Sequence, residues 1–554
     1  MVLNKSDKGS KIVIMHENMY NEKMHNVISD LKATKLTRGD PTNKYQAQIK
    51  KVIKESTIID ENEKPHLLIS TPLAPRIFGQ IKIHKPDKKM RPVVDCSHAP
   101  SKLLSIFLLN FLKKSNLDTS GGEKSLRNSL DFVNRLRNVY NNEDLNMVSF
   151  DVKSMYSVIP IDKMMIIFKN FLQNSKLSNV VINELTKILD IIIHQNYFTF
   201  RGEYYEQIFG LPMGGVLSSF LANLYMSVWE NEFLQDNHDI RFWGRYVDDV
   251  YALVHKEKIE NTFKELNNKD TNIQFEMENE ENGFINFLDL RIERLQNSFR
   301  FEIYRKETDI GRYIDGMSDH SFNQKYASIN YMIHRLISLQ LDNEKYKKEE
   351  NYIFGIAKAN NLNLNHVRSI FTKKHRIHQL DGITTHQGRN ISQNKWSKMT
   401  YIEGLSEKLG KILRNYQVNL AYKPHANIKD SFYMGKDRIE SDKRSGIYKL
   451  NCKCGSEYIG QTKRFIKQRV NEHRYDITSK KENGTGFSHH VLHSNNINCG
   501  IDNYNIIKQE SNKSRRNYYE SIYILQSKMK MGSRNVNNLN GPYEGQIVEY
   551  FKNL

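Results

Sequence analysis

Asp151, Asp248 and Asp249 stand where carboxylates are costly unless a cation joins them. Asp151 ends the apolar run Met147–Phe150 in LNMVSFDVKSMYSVIP, and Asp248 and Asp249 are adjacent in FWGRYVDDVYALV, Phe242 to Val254. Apolar and aromatic residues flank the pair on both sides, which predicts two strands with the acids at the turn between them. Asp is a common turn former, so the pair by itself decides nothing. If the strand of Asp151 neighbours that hairpin, the carboxylates converge at one sheet edge. Like charges so close repel, and a divalent cation relieves them. Mg²⁺ is hard and prefers such oxygens. The set suits two Mg²⁺ ions about 4 Å apart, which would activate a 3′-hydroxyl and neutralise charge growing on the phosphate of an incoming nucleotide.

The elements that must position these acids read as α+β, in several domains. A chain of 554 residues is too long for one core. Residues 1–64 read as a charged, helix-like N-terminal extension with a short apolar run at Ile12–Met15. Residues 65–144 read as basic strands around RIFGQIKIHKPDKKMRPVVD followed by helix. Residues 145–318 hold the acidic strands, a helical stretch from Ile161 to Gln195, and a Gly-rich turn, GLPMGG, that opens a helix at Gly215. INFLDLRIERL and SFRFEIYRKE read as two further strands, residues 319–422 as mostly helical and basic, and residues 423–445 as a polar linker. A compact unit fills 446–554.

Lys and Arg outnumber Asp and Glu by 82 to 63, a formal charge of +19. A chain so basic faces a polyanion, nucleic acid first. Four cysteines in this length point to a reducing compartment, not a disulfide framework. No stretch approaches the apolar length of a membrane span, so no membrane partner is expected. Lys82 and Arg91, on the basic strand pair, can clamp triphosphate oxygens, Arg bidentately, or be solvated strand charges. Gly210, Met213 and Gly214 open the helix where backbone can approach a template base or sugar closely.

FDVKSMYSVIP, GLPMGGVLSSFLANLYM and RYVDDVYAL, in this order, resemble the successive palm motifs of reverse transcriptases. Within that group SDKG near the N-terminus, DVKSMYSVIP, INFLDLRI and YRKETDIGRYIDGMSDH are most similar to Penelope-like retroelements. The resemblance implies a right-hand polymerase with fingers at 65–144, palm at 145–318 and a helical thumb at 319–422 that grips the duplex by its phosphates. It implies that Asp151, Asp248 and Asp249 hold the Mg²⁺ ions, and that Tyr156 clashes with a ribose 2′-hydroxyl and so favours dNTPs. Ser219 departs from the Pro that relatives often carry, and Phe287, Leu288 and Asp289 would support the palm.

SGIYKLNCKCGSEYIGQTKRFIKQRVNEHR, Ser445 to Arg474, contains GIY and YIG on two strand-like runs and resembles the GIY-YIG endonuclease family. Phe465 to Arg474 reads as a helix with Ile466 and Val470 inward and with Arg469 and His473 on one face. Glu520 lies in a later helix, NYYESIYIL, and Asn540 in NNLNG. The resemblance implies phosphodiester hydrolysis. Tyr448 would position or deprotonate the attacking water with Arg469 or His473 nearby, Arg469 would stabilise the transition state, Tyr458 would orient the phosphate, and Glu520 would bind one Mg²⁺. Cys452 and Cys454 in CKC, with His490 and His493 in FSHHVLHS, make a structural zinc set, with His489 or His473 as a substitute ligand; free thiols and surface imidazoles are the rival reading. Cys96 and Cys499 have no evident role.

The resulting expectation is a retrotransposon enzyme in the nucleus, favoured also by the basic cluster KKHR at Lys373–Arg376. It would nick target DNA and extend the exposed 3′-end by copying the element's RNA template. A telomerase-like cellular enzyme and a nucleic-acid-binding protein with a decayed site are the rivals.

Overall fold

The structure, a computed structural model, describes residues 1–8, 11–83, 87–118, 123–140, 144–339, 341–381, 395–423, 435–481, 484–494, 499–510 and 512–537. Strands β1 (Val2–Lys5) and β2 (Ile12–Met15) form an antiparallel hairpin. Its inward Val2 and Met15 pack with Tyr20 and Met24 of the helix Glu17–Asp30. That core is shared with β4 (Arg76–Ile81) and β5 (Met90–Asp95), which follow the short β3 (Thr34–Lys35). The first 64 residues, expected to be a separate extension, thus share a core with the strands that follow. The long strand β6 (Leu145–Val152) leaves the fingers, and β7 (Tyr197–Phe200) and β8 (Glu203–Glu206) return to them, giving the sheet order β3-β8-β7-β4-β5.

A second sheet, antiparallel, runs β11-β6-β10-β9 and is completed by β9 (Ile240–Tyr246), β10 (Asp249–His255) and β11 (Phe275–Asn279). Alternation along β10 feeds two cores, because successive side chains leave opposite faces. Val250, Ala252 and Val254 pack under the helices Ile161–Gln173 and Ser218–Asp236. Tyr251 and Leu253 pack on the other face against Phe132, Phe287 and Ile292. A strand covered on both faces is held rigidly, and it carries the acidic turn at its start.

INFLDLRIERL is two strands, not one. Leu288 turns the chain at φ +57° between β12 (Phe284–Phe287) and β13 (Leu290–Arg294), and β14 (Phe299–Ile303) extends the sheet. Asp289 beside that turn pairs with Arg335 at 2.9 Å, tying it to the helix Ala327–Leu339. That helix packs with Asn343–Ala359 and Leu364–Asp381 around Ile333, Leu336, Ile353 and Val367. The expected helical thumb ends there. β15 (Lys395–Thr400), the helix Leu405–Arg414 and β16 (Val418–Lys423) make a small parallel β-α-β unit.

In the C-terminal unit β17 (Gly446–Cys452), β18 (Glu457–Thr462) and β19 (Ile501–Gln509) pair in the order β18-β17-β19. The helices Ile466–Thr478, Gly486–His493 and Lys513–Met531 cover it. The start of the expected linker, at 424–434, and Asn540 lie outside the described residues. The rest of that segment is fastened down: Arg76 Nη1 donates to the Asp437 carbonyl at 2.8 Å, and the Arg201 amide donates to the Asp437 carboxylate at 2.6 Å. Among the described residues no helix is long and apolar enough to cross a membrane.

Candidate active sites

Asp249 lies opposite Asp151 in the β10–β6 register, and the Val152 amide donates to the Asp248 carbonyl at 3.0 Å. One oxygen from each of Asp151, Asp248 and Asp249 lies within 4.8 Å of the others. Burial, and then the charge of Asp248, raises the pKa of the Asp249 carboxyl. Three mutually repelling oxygen donors fit a hard divalent cation, so this set would hold the Mg²⁺ that the sequence implied.

The turn that presents these acids is clamped from behind. Val247 sits at φ +58°, a region a β-branched residue rarely enters. Its carbonyl accepts from Arg245 Nη1 at 3.1 Å, and Arg245 Nε is 2.7 Å from Glu230 Oε1. Trp243 Nε1 donates to the same oxygen at 2.8 Å, and Asn223 Oδ1 accepts from Arg245 Nη1 at 2.8 Å. Arg245 and Glu230 are both fully buried, an ion pair that joins the hairpin to the helix Ser218–Asp236. Sequence reasoning passed over both residues; the signal was a charge at a core-facing position of FWGRYVDD.

The acids open into a cleft of about 1780 Å³. Lys82, Arg91, Tyr156 and Met213 line it, and so does Leu288, for which the resemblance implied only a supporting role. The Tyr156 hydroxyl meets Ser219 Oγ at 3.2 Å, so the unusual Ser219 contacts the expected sugar gate directly. Arg91 is partly committed elsewhere, its Nη1 pairing with Asp7 Oδ1 at 3.0 Å. Gly214, expected in the nucleotide pocket, is not among the residues lining the cleft. At φ +121° it lies against β5, where a Cβ would stand 2.3 Å from the Val94 carbonyl oxygen. Its lack of a side chain serves strand packing, not the nucleotide.

Residues 83–280 match the family model described as reverse transcriptase (RNA-dependent DNA polymerase). This part of the chain is a reverse transcriptase domain. No curated protein matches the chain. Among solved structures, a telomerase from Candida albicans in complex with a TWJ fragment of telomeric RNA is similar at 10% identity and a TM-score of 0.42, over 68% of this chain and 64% of that one. This chain thus spans less than two thirds of that telomerase's length. An apo telomerase from Candida tropicalis is similar at 12% identity and a TM-score of 0.40, over 69% of each chain.

Beyond the reverse transcriptase domain, the C-terminal sheet gathers a second set. Tyr448 pairs with Gly460, and Leu450 with Tyr458, so both tyrosines share one face, their ring centroids 6.3 Å apart. Gly460 is required there, because a Cβ would approach the Tyr448 hydroxyl to 2.5 Å. The helix Ile466–Thr478 brings Arg469 and His473 over that face. Arg469 Nε donates to the Tyr448 hydroxyl at 3.2 Å. That hydroxyl also lies 2.7 Å from His473 Nε2, within hydrogen-bonding distance. His473 Nδ1 lies 2.9 Å from Thr485 Oγ1, so both ring nitrogens have a hydroxyl partner. Burial, and then the charge of Arg469, pushes the His473 pKa down to about 3, so the ring is neutral. Burial pushes the Tyr448 hydroxyl well above the usual range and that of Tyr458 up to about 12.

Glu520 arrives from the helix Lys513–Met531, accepting from Gln461 Nε2 at 2.7 Å. Burial raises its carboxyl pKa. Arg469 also pairs with Glu472 at 2.8 Å. Gln461, Glu472 and Thr485 were missed in sequence; each is a polar side chain that orients another, which no local pattern marks.

The cysteine and histidine set differs from the one expected. Cys452, Cys454, His490 and Cys499 bring one ligand atom each within 4.8 Å of one another. His490 Nε2 lies 3.3 Å from Cys454 Sγ and 3.7 Å from Cys499 Sγ. His493 is exposed and turned away, its Nδ1 3.1 Å from the His489 carbonyl oxygen and its ring stacked on His489 at 4.1 Å. Neither His489 nor His473 takes its place; Cys499 does. Three thiols and one imidazole fit a tetrahedral zinc ion.

Proposed function

We propose that this chain copies RNA into DNA from a 3′-end that its own C-terminal unit exposes by nicking target DNA, as the resemblance to Penelope-like retroelements implies. The observation that carries this reading is the convergence of Asp151, Asp248 and Asp249 in a cleft of the reverse transcriptase domain. Bound there, magnesium would acidify the primer 3′-hydroxyl and offset charge on the phosphate under attack. The chain's own part is positioning: Lys82 and Arg91 draw the triphosphate, and Tyr156 fills the space a ribose 2′-hydroxyl would need.

The paired GIY and YIG strands, with Arg469, His473 and Glu520 around Tyr448, support a GIY-YIG endonuclease reading of the second site. In it Tyr448 stays protonated at neutral pH and aligns the attacking water, while the neutral His473 stands ready to take the tyrosine's proton. Arg469 meets the charge that develops on phosphate, and Glu520 would hold one divalent metal. A zinc ion held by Cys452, Cys454, His490 and Cys499 would brace the same unit. The substrates favour a nuclear location.

Primer extension on an RNA template with dNTPs, run beside a nicking assay, tests the division of labour. Asp248→Asn should abolish extension and spare nicking; Glu520→Gln should do the reverse. Loss of both activities from either change would sink the assignment.

A further inference from the structure

The small β-α-β unit at Lys395–Lys423 carries a surface that neither candidate active site uses. Its two strands are parallel, and Trp396 pairs with Asn419, Lys398 with Ala421 and Thr400 with Lys423. Paired residues share a face of the sheet, and successive residues alternate between faces. The helix Leu405–Arg414 covers the other face. There the Tyr422 hydroxyl donates to the Ser406 carbonyl at 3.0 Å, and a Cβ on Gly410 would stand 2.9 Å from that hydroxyl. Trp396, Lys398 and Lys423 therefore lie on the face that the helix leaves open.

Of the chain's three tryptophans, Trp229 and Trp243 are buried, whereas Trp396 is 70% exposed. A ring of that size gains much from being covered. Lys398 and Lys423 are exposed as well. A pocket of about 350 Å³ is lined from both sides, by Trp396, Asn419 and Arg414 of this unit and by Phe322 and Asn323 of the helix Phe322–Lys325. Phe322 offers a second ring, itself stacked on Tyr326 at 4.4 Å. Glu407 also lines the pocket, and accepts from the Tyr401 hydroxyl at 2.5 Å. From Lys395 to Lys423 six basic residues stand against two acidic ones, so the unit complements an anion. Rings for a flat face, amides for a polar edge and cations for phosphate are what an unpaired nucleotide requires. A duplex hides its base faces, so only a single strand can use the rings.

Resting on the RNA-copying function proposed above, we propose that this face binds a single-stranded stretch of the RNA template, with a base stacked on Trp396 and the neighbouring phosphates on Lys398 and Lys423. The template of an RNA-dependent polymerase is unpaired until it is copied, and the product leaves as duplex, so RNA is the strand that offers free bases here.

Tryptophan fluorescence of the full chain reads this directly. Titration with oligo(U) RNA in Ca²⁺, without dNTPs, should quench Trp396 emission, and Trp396→Phe should remove the quench while keeping most of the affinity. Trp396→Ala should weaken oligo(U) binding about tenfold, the scale of one stacked base. Lys398→Ala combined with Lys423→Ala should lower the slope of log affinity against log salt by about 1, as the loss of two phosphate contacts requires. Tyr140→Ala, which removes another exposed ring, should change nothing, and a blunt RNA–DNA duplex should bind every variant alike. Unchanged oligo(U) affinity in Trp396→Ala, or no quench in the wild type, overturns the proposal. So does quenching by oligo(dT) alone, which would assign the face to DNA, or by raised protein concentration alone, which would assign it to a second copy of the chain. A wild-type chain that quenches with RNA but extends no primer upholds the site and overturns the polymerase function instead.

Discussion

The two candidate active sites solve opposite electrostatic problems. The first site gathers three carboxylates at one strand edge, where burial and the charge of Asp248 raise the Asp249 pKa. The C-terminal site centres on a buried phenol hydrogen-bonded to an uncharged imidazole and to one arginine. A site of clustered like charge is suited to a metal ion. A site of satisfied hydrogen bonds is poised to move a proton. The same chain can hold both because they rest on separate sheets.

That contrast can be broken or sharpened by experiment. The largest effect is expected from stripping metal out of the cysteine cluster. Structural zinc contributes on the order of 10 kcal/mol to the folding of small domains. A strong chelator followed by excess Mg²⁺ should therefore melt the C-terminal unit in calorimetry while RNA-templated extension persists. Next, Asp248→Asn should cut extension by about 1000-fold or more, since several kcal/mol of charge stabilisation go with a metal ligand. Single-turnover extension checks it, with nicking as the unaffected arm. Arg245→Ala should destabilise the palm by about 3–5 kcal/mol, the cost of stranding a buried partner, Glu230. Denaturant unfolding should show the loss in the palm and none in the C-terminal unit.

Acid should separate the sites by sign. His473 titrates near 3 folded against an ordinary value of 6.5, so its contribution is complete above 6.5 and is lost as pH falls toward 3. Asp249 is shifted the other way, so its contribution, in metal-free protein, is present at low pH and lost as pH rises. Hydrogen exchange followed from pH 7 to 4 should show the C-terminal unit loosening while the palm strands keep their protection. The smallest effect is His493→Ala, which should shift stability by no more than about 0.5 kcal/mol, whereas Cys499→Ser should release bound zinc, read by metal analysis.

The parts legible in sequence are those whose pattern is local. The strands around Asp151 and around Asp248 and Asp249 announced themselves by alternation between apolar runs and a polar turn, and the structure brings those acids together. GIY and YIG lay on strands only a turn apart. What was illegible depends on distant partners. β3 pairs with β8 across some 170 residues, so nothing in the first 64 residues betrayed that they complete the fingers. β15 and β16 are short and half-exposed, and the strongly amphipathic helix between them dominated the pattern. Cys499 stands far along the chain from the CKC it joins, while the nearby HHVLH offered a more tempting spacing.

The fastening of Asp437 to Arg76 and Arg201 turns what looked like a leash into a ruler. A free tether would let the second unit wander as far as its contour allows. A segment fastened to Arg76 and Arg201 instead sets a fixed stride between the first sheet and the C-terminal unit. Lengthening the polypeptide ahead of Gly435 would leave that stride unchanged, and releasing Asp437 would not.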